Sequence, residues 1–193
     1  MKTQMKTQIH PENSEGVYSP REDSFLLAKT LPNFSGKTAL DMGCGTGIQG
    51  ITALLNGAEK TVFVDKNPLA LECTKKNLEK LGLLGELVQS DLFENIHEKF
   101  DAIIFNPPYV PSEKIVYLDV DGGKKGREIL DKFIEGFPKH LKPGGECFFL
   151  QSSLNGIEKT RKTLAAKNFS AQVIAGEKLF FEELVIFKAG KKK

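Results

Sequence analysis

The segment Asn106-Pro107-Pro108-Tyr109 combines residue types that can hold a flat, nitrogen-bearing group. Its two prolines, Pro107 and Pro108, stiffen the chain and remove two backbone N–H donors, so hydrogen-bond acceptors are in local surplus. The side-chain oxygen of Asn106 and the carbonyl of Pro107 can accept both hydrogens of an NH2 group, and Tyr109 offers a flat face for stacking. The pattern predicts a binding site for an sp2 nitrogen, although Asn-Pro-Pro taken alone is also an ordinary turn.

An sp2 nitrogen is a poor nucleophile because its lone pair is delocalised. Hydrogen bonds that favour a tetrahedral nitrogen would free that pair for attack on an electrophilic carbon such as the methyl group of a sulfonium. Holding the two reactants in line can lower a barrier by ~7 to 11 kcal/mol. The four residues from Asn106 to Tyr109 are therefore predicted to be catalytic, and no general base with a shifted pKa is required.

A glycine-rich loop, Asp41-Met42-Gly43-Cys44-Gly45-Thr46-Gly47, follows the first predicted strand, and its glycines let the backbone approach a ligand closely. Residues 45–50 also have the G-x-G-x-x-G form of a dinucleotide site. Asp41 separates the two interpretations, because a carboxylate at the strand end would repel a pyrophosphate and attract a cationic amino group. S-adenosylmethionine carries that amino group and no phosphate. Gly43, Gly45 and Gly47 are therefore predicted to bind S-adenosylmethionine, with a ligand-free turn as the alternative.

Two further carboxylates end the next predicted strands. Asp65 closes the second strand, where it can accept hydrogen bonds from both hydroxyls of a ribose. Asp91 and Leu92 follow the third strand, where they can accept from an adenine amino group and pack on its ring. Taken singly, Asp65 could be a helix cap and Asp91 a surface turn residue. Because parallel strands end at one edge of a sheet, the series Asp41, Asp65 and Asp91 predicts one shared cofactor site.

The elements that must position these residues alternate along the chain. Residue pattern predicts strands at 38–41, 61–65, 87–89, 101–105, 146–150, 170–174 and 184–187. Helices are predicted from a capping box at Ser19-Pro20-Arg21-Glu22, at 48–56, at 68–81, from the stripe that starts at Leu130 to Pro143-Gly144-Gly145, and at 157–167. The last two strands lack an intervening helix and are expected to be antiparallel neighbours. The predicted fold class is α/β with a doubly wound sheet.

Composition narrows the protein class. A chain of 193 residues with 40% hydrophobic and 27% charged residues is expected to form one soluble domain, at 17–188, between a disordered leader at 1–16 and a basic tail at 189–193. The net charge of +2 does not favour nucleic acid, and no apolar segment suits a membrane span or signal peptide. Scattered cysteines and histidines predict neither disulfides nor a metal site. A cytoplasmic protein is expected.

Together these motifs resemble the class I S-adenosylmethionine-dependent methyltransferases. That resemblance implies a Rossmann-like fold with a seven-stranded, mostly parallel sheet, an antiparallel last strand, and helices on both faces. Asn-Pro-Pro-Tyr resembles the motif of amino methyltransferases that act on adenine, cytosine or glutamine. The segments Val17 to Phe25 and Asp121 to Glu128 resemble the V-Y-x-P-x-E-D-[ST]-F and G-G-x-x-G-R-E stretches of the short HemK-type glutamine methyltransferases of archaea and eukaryotes. The extra proline at Pro111 departs from the motif and is expected to stiffen the loop further.

The HemK-type resemblance implies a substrate, a cofactor and a partner. The substrate would be the glutamine of the Gly-Gly-Gln motif in a peptide chain release factor, held by Asn106, the Pro107 carbonyl and Tyr109. S-adenosylmethionine would contact six residues, namely Ser24, Asp41, Gly43, Asp65, Asp91 and Leu92. Short family members often need a small zinc-binding activator protein that pairs along a sheet edge. Here the apolar third-strand region, with Leu83, Leu84 and Leu87, is the expected place for that heterodimer.

Two competing functions stay open at the level of sequence. The first is an N6-adenine or N4-cytosine methyltransferase of RNA or DNA, which would need a basic groove or a recognition domain. The second is an NAD-binding oxidoreductase, which would bind a dinucleotide and not S-adenosylmethionine.

Overall fold

The structure is a computed structural model that describes residues 9–112 and 121–192. The first eight residues of the expected leader and Lys193 of the expected tail lie outside the described residues. In chain order the elements are α1 (Glu22–Thr30), β1 (Thr38–Met42), α2 (Ile48–Leu55), β2 (Lys60–Asp65), α3 (Pro68–Lys80), β3 (Glu86–Gln89), β4 (Phe100–Phe105), α4 (Glu128–His140), β5 (Leu141–Ser152), α5 (Ile157–Ala166), β6 (Phe169–Lys178) and β7 (Glu183–Lys191). A 3₁₀ turn (Ser153–Asn155) links β5 to α5.

The strands form one seven-stranded sheet in the order β3-β2-β1-β4-β5-β7-β6. Every pairing from β3 to β5 is parallel, whereas β7 runs antiparallel to both of its neighbours. The predicted mostly parallel sheet with an antiparallel last strand is confirmed. The order reverses between β1 and β4, and in open α/β sheets ligands bind beyond the carboxyl ends of the strands at such a reversal.

Helices cover both faces of this sheet, as predicted. On one face α1 packs Leu26 and Leu27 against Ile104 and Ile186 of the central strands. On the other face α4 packs Phe133 among the side chains of the alternate strand positions, which include Phe105, Phe149 and Phe187. Successive side chains along a strand point to opposite faces of the sheet. The central strands therefore contribute to the apolar cores on both faces, and their sequences are almost continuously apolar. In the described ranges no helix has the length and apolar character needed to cross a membrane.

The start of α1 differs from the predicted capping box. The helix begins at Glu22 with Arg21 at the N-cap position, and the side chain of Arg21 makes no capping hydrogen bond. Ser19 and Pro20 precede the helix, so Glu22 is the first helical residue and not the third, as a capping box requires. Acidic Glu22 and Asp23 in the first turn favour the helix N-terminus electrostatically instead. By contrast, α3 starts from a side-chain cap, since the side chain of Asn67 accepts from Leu69 N at 3.0 Å.

The helix expected to end near Pro143-Gly144-Gly145 ends shortly before them, and a strand occupies these residues. Helix α4 ends at His140, and β5 starts directly at Leu141. The pairing with β4 jumps from Phe100↔Leu141 to Ala102↔Glu146, so the proline and glycines form an irregularity inside the strand. Gly144 has a φ of +77°, a conformation that favours glycine.

Both expected chain ends are more ordered than the boundaries 17 and 188 imply. Before residue 17, Glu12 N donates to the side chain of Asn77 at 2.8 Å, and Ile9 packs near α3. At the other end Ala189 is fully buried in β7, and Lys191 pairs with Phe169. The packed chain therefore extends beyond the expected domain on both sides.

Candidate active site at the carboxyl end of the sheet

A cavity of about 1020 Å³ opens beyond the carboxyl ends of β1, β2 and β4. The glycine loop after β1, the segment after β3 and the loop after β4 line it, and α1 and the chain before it close one side. This volume suits a ligand of nucleoside size together with part of a second substrate. The parallel topology thus gathers loops that are far apart in sequence.

Asn106 is held at this cavity in one orientation. Its Nδ2 donates to Asp23 Oδ2 at 3.1 Å and lies 3.4 Å from Ser24 Oγ. The reverse orientation would set the amide oxygen against a carboxylate, so the hydrogen-bond partners fix which end is which. Asn106 Oδ1 is buried and has no hydrogen-bond partner among the described residues. A buried acceptor without a partner is unfavourable unless a ligand supplies a donor.

Asp23 is the site residue that reasoning from the sequence missed. It is buried in the first turn of α1, and it accepts from Tyr18 Oη at 3.1 Å and from Ser24 N at 2.6 Å, besides Asn106. The one sequence signal for Asp23 is its position in the segment 17–25, which resembles a family motif. Asp23 fixes the orientation of Asn106 from a helix that begins more than eighty residues earlier in the chain.

Pro107, Pro108 and Tyr109 also line the cavity. Burial raises the pKa of Tyr109 well above its ordinary range, and the nearby carboxylates of Asp23, Glu182 and Glu22 raise it further. The phenol is therefore neutral at physiological pH. A neutral, half-buried ring can cover a planar group without competing for its proton.

A glycine-rich segment behind the loop fixes its course. Gly122 N donates to Val110 O at 2.9 Å, and Asn155 Nδ2 donates to Tyr109 O at 3.0 Å. A Cβ at Gly126 would overlap both Tyr109 O and the Asn155 amide, so only glycine allows this approach. The backbone of the catalytic loop is thus clamped by residues that follow it in the chain.

Buried Arg127 in turn supports that clamp. Its guanidinium donates to the carbonyls of Asn155 and Gly156 and to Thr160 Oγ1 at 3.0 Å, and it pairs with Asp131 at 2.6 Å. The carbonyls at the 3₁₀ turn and the start of α5 are thereby satisfied. The segment 121–128, noted in the sequence only for its resemblance, therefore organises the loop.

Two glycines of the β1 loop, both expected to bind the cofactor, face the cavity. Gly43 and Gly45 line it with φ values of +60° and +55°, in the left-handed region that glycine adopts without strain. Apart from Gly45 and its two chain neighbours, no heavy atom of the described residues lies within 4 Å of the place where a Cβ on Gly45 would stand. Ser24 lines the same cavity, and its carbonyl accepts from Gln49 Nε2 at 2.9 Å.

Asp41 and Gly47 do not line the cavity within the described chain, although both were predicted to contact the cofactor. The Asp41 carboxylate turns inward and accepts from Gly50 N at 2.8 Å, at the start of α2. Burial raises the pKa of Asp41 well above its usual range, against the lowering effect of that hydrogen bond. Gly47 packs against Thr74 on α3. Both residues build the loop from behind, and the attraction expected from the charge of Asp41 is weakened.

The second and third strand ends bring Asp65, Asp91 and Leu92 to the cavity wall. Asp65 accepts from Gly45 N at 3.0 Å and from Asn67 N at 2.9 Å, which ties its carboxylate to the glycine loop. Asp91 pairs with Lys66 at 2.5 Å. Leu92 has a φ of +49°, which is rare for a residue with a branched side chain and marks a constrained position.

The residues present fit S-adenosylmethionine. The backbone at Gly45 is open to a ligand, and carboxylates at Asp23, Asp65 and Asp91 line the walls. Such walls attract a cationic ligand and oppose a pyrophosphate. Asp65, Asp91 and Leu92 are the residues that would hold its nucleoside. Among the residues that the structure describes, no group of three or more His, Cys, Asp or Glu side chains could hold a metal ion, and the three cysteines are buried and free.

Comparison with known proteins agrees with this geometry. The model of the methyltransferase small domain family matches residues 9–181. A relative from Methanocaldococcus jannaschii, named "Putative protein N5-glutamine methyltransferase MJ0928", is 45% identical over 191 residues, which are 96% of this chain and 95% of the relative.

Solved structures show the same fold. A chain of the E. cuniculi Mtq2-Trm112 complex, described as responsible for the methylation of the eRF1 translation termination factor, has a TM-score of 0.74 at 27% identity and covers 92% of this chain and 99% of its own. The T. thermophilus 16S rRNA N2 G1207 methyltransferase RsmC, solved with AdoMet and guanosine, has a TM-score of 0.68 at 25% identity over 90% of this chain and 44% of its own. Since the family match spans most of the sequence, this chain belongs to the methyltransferase small domain family of class I S-adenosylmethionine-dependent methyltransferases.

Proposed function

We propose that this enzyme methylates the N5 nitrogen of the glutamine in the Gly-Gly-Gln motif of a peptide chain release factor. The observation that carries the proposal is the state of the Asn106 side chain, which lines the cavity. Its Nδ2 donates to Asp23, while its Oδ1 is buried and has no hydrogen-bond partner among the described residues. An acceptor in that state calls for a donor on the substrate, and a primary amide has two.

The residues around Asn106 suit the rest of an amide. Pro107 lacks a backbone N–H, so its carbonyl can accept the second amide hydrogen without a competing donor beside it. The neutral ring of Tyr109 can cover the flat face of the group. Together they would hold the nitrogen in line with the methyl donor, and orientation of this kind is the main contribution to rate that the chain itself makes.

S-adenosylmethionine supplies the methyl group for the reaction. On the chain's side, we infer that Asp65 binds the ribose hydroxyls and that Asp91 and Leu92 contact the adenine, while Ser24, Gly43 and Gly45 border the reacting end. Asp41 and Gly47 act behind the loop, by holding the start of α2 and by packing on α3.

The similarities support a protein glutamine as the acceptor. The M. jannaschii relative bears the name of a protein N5-glutamine methyltransferase, and the Mtq2-Trm112 complex is described as methylating a translation termination factor. The rRNA methyltransferase RsmC shares the fold, so a nucleobase amino group is the acceptor to be tested against it.

The test is a labelled-cofactor assay with three acceptors: a class I release factor, transfer RNA and DNA. Mass spectrometry of the factor is expected to show one added methyl group on the Gly-Gly-Gln glutamine. A factor with that glutamine changed to glutamate is the control and should take up no methyl group. Preferential labelling of RNA or DNA would replace the proposal with a nucleobase methyltransferase.

We also propose that a small activator protein binds at the β3 edge. Among the strands of the described residues, β2 is the only neighbour of β3, and Leu84 just before β3 is 91% exposed. Unpaired edge strands and exposed leucines favour addition of a partner strand. Mtq2 occurs in a complex with Trm112. We expect an assembly of the same type here, and the resemblance implies that its partner binds zinc. Full activity and solubility of the isolated chain, unchanged by such a partner, would contradict this.

A further inference from the structure

Two adjacent phenylalanines are almost fully exposed at the turn between β6 and β7. Phe180 is 92% exposed and Phe181 is 85% exposed, and their rings pack edge to face with centroids 4.7 Å apart. Large apolar side chains grouped on a surface mark interaction sites more often than isolated ones do. We refer to Phe180 and Phe181 as the aromatic lip.

The aromatic lip stands on a closed turn. Leu179 N donates to Glu182 O at 2.8 Å, which closes the turn around the two phenylalanines. Glu183 N donates to Ser153 Oγ at 3.0 Å, which ties the start of β7 to the 3₁₀ turn after β5. Ring positions set by such a turn lose less conformational freedom on binding than positions in a loose segment would.

The aromatic lip is continuous with the mouth of the active-site cavity. Leu179 directly before it and Leu184 shortly after it both line the cavity that contains the Asn106 loop. After burial, the charges of Asp23 and Glu182 are the largest influences that raise the pKa of Tyr109, so Glu182 of the turn lies near the catalytic ring. A polymer that reaches Asn106 from this side must therefore pass the lip.

Charge at the mouth selects the kind of polymer. Three carboxylates near Tyr109, those of Asp23, Glu182 and Glu22, are opposed there by one guanidinium, that of Arg21. Negative charge of this kind disfavours a phosphate backbone, which nucleic-acid sites neutralise with Lys and Arg. Aromatic rings beside these carboxylates suit the apolar side chains of a polypeptide instead.

We propose that the aromatic lip docks the substrate protein beside the glutamine that is methylated, by packing on apolar side chains of that substrate. This inference rests on the proposed function, since it assigns a docking surface to a protein acceptor. It predicts that the lip contributes to recognition of the substrate and not to the chemical step.

Steady-state kinetics with a recombinant class I release factor test this role. The double variant Phe180→Ala, Phe181→Ala is expected to raise KM for the factor by ~10-fold or more. Loss of an aromatic residue at the centre of a protein interface has an effect of this size. The kcat and the affinity for S-adenosylmethionine should stay unchanged, because neither ring lines the cavity. Replacing both residues with leucine keeps apolar area and should bring KM back close to the value of the unmodified enzyme.

The control is Leu55→Ala, which removes a half-exposed apolar side chain at the end of α2, away from the cavity. It should leave KM unchanged. An unchanged KM in the alanine double variant of an active enzyme would overturn the docking role and leave the proposed function intact. The docking role would also be overturned if the alanine double variant lost binding to a single-stranded oligouridylate while its KM for the release factor stayed the same. Absence of factor methylation by the unmodified enzyme would refute the proposed function and the docking with it.

Discussion

Asn106 and Asp65 lie on different walls of one cavity, and their tasks should be separable. Asn106→Ala removes the acceptor for the substrate amide, so kcat is expected to fall ~10²- to 10³-fold, as on loss of one positioned hydrogen-bonding group in an active site. Cofactor binding measured by calorimetry should be nearly unchanged. Asp65→Ala should do the opposite and weaken cofactor affinity first. Loss of both properties in either variant would contradict the division of roles.

The Asp23 carboxylate positions Asn106, whose Nδ2 donates to it. Asp23→Asn keeps the shape of the side chain but lets two amides pair in either orientation, so the orientation of the Asn106 amide is no longer fixed. We expect kcat to fall ~10- to 100-fold through misorientation. Single-turnover methylation measures this, and Glu22→Gln on the exposed side of the same helix turn is the matched control. Equal losses in both variants would point to general electrostatics instead of orientation.

The protein is expected to lose stability at alkaline pH because of two tyrosines with raised pKa values. Burial raises the pKa of Tyr18 and of Tyr109 above the ordinary value, and the charge of Asp23 raises both further. Above pH ~10 the unfolded chain therefore loses these protons before the folded chain does, and stability falls as pH rises. Thermal unfolding between pH 8 and 11 should show the decline, and Tyr18→Phe should reduce its slope. A pH-independent unfolding temperature over that range would argue against buried phenols.

Reasoning from sequence found the residues whose roles are local and missed those whose roles are distant. The acceptor surplus at Asn106-Pro107-Pro108-Tyr109 follows from proline chemistry, so it could be predicted. The part played by Asp23 depends on α1 lying across the end of β4, which no local pattern encodes. Asp41 was predicted to contact the cofactor because its place after β1 was visible, whereas the inward turn of its side chain toward Gly50 was not.

At the scale of elements, the glycine-rich segment before α4 determines the course of the catalytic loop. Gly126→Ala would place a methyl group against Tyr109 O, and it also sits at a φ of +62°. Gly144→Ala is a matched control, because Gly144 has a φ of +77° but open space around the Cβ position. Gly144→Ala should lose ~1 kcal/mol of unfolding free energy from backbone strain alone, and Gly126→Ala should lose more, because its Cβ also overlaps a backbone oxygen.

Only Gly126→Ala should also lose activity, since it alone displaces the backbone beside Tyr109. Chemical denaturation and initial rates, measured on both variants, separate the two effects. Equal activity in the two variants would show that the loop tolerates the displacement and that the clamp at Tyr109 O has no role in turnover.

The ends of helices and strands were predictable where the local sequence signals agreed. The predictions were inaccurate where the local signals and the tertiary structure favoured different boundaries. Asn67 and Pro68 mark the start of α3 because the cap and the fixed proline φ agree. Ser19 to Glu22 matched a capping pattern, yet the extended backbone at Arg21 delays the helix until Glu22. Pro143 to Gly145 are breakers in isolation, but β5 pairs with β4 on both sides of them, at Leu141 and at Glu146, and continues past them as one strand.

At the scale of the whole molecule, strand order follows from a few topological rules. Alternating strands and helices with right-handed crossovers produce a parallel sheet with a reversal of order, and the last two strands without a helix must pair antiparallel. That framework alone places the ends of β1, β2, β3 and β4 around one cavity. The packing of residues 9–16 on α3 was not predictable, because their polar composition resembles that of a disordered segment.

The one-sided pairing of β3 has a consequence for local opening. The strand spans only Glu86–Gln89 and, within residues 9–112 and 121–192, pairs with β2 alone, whereas β1 and β4 are paired on both sides. Backbone amides of such a strand open at a lower free energy than the global unfolding of the protein. In hydrogen exchange monitored by mass spectrometry, 86–89 should therefore exchange well before 38–42 and 100–105. Addition of an activator that extends the sheet should slow exchange at this edge first, while protection of the central strands stays as it was.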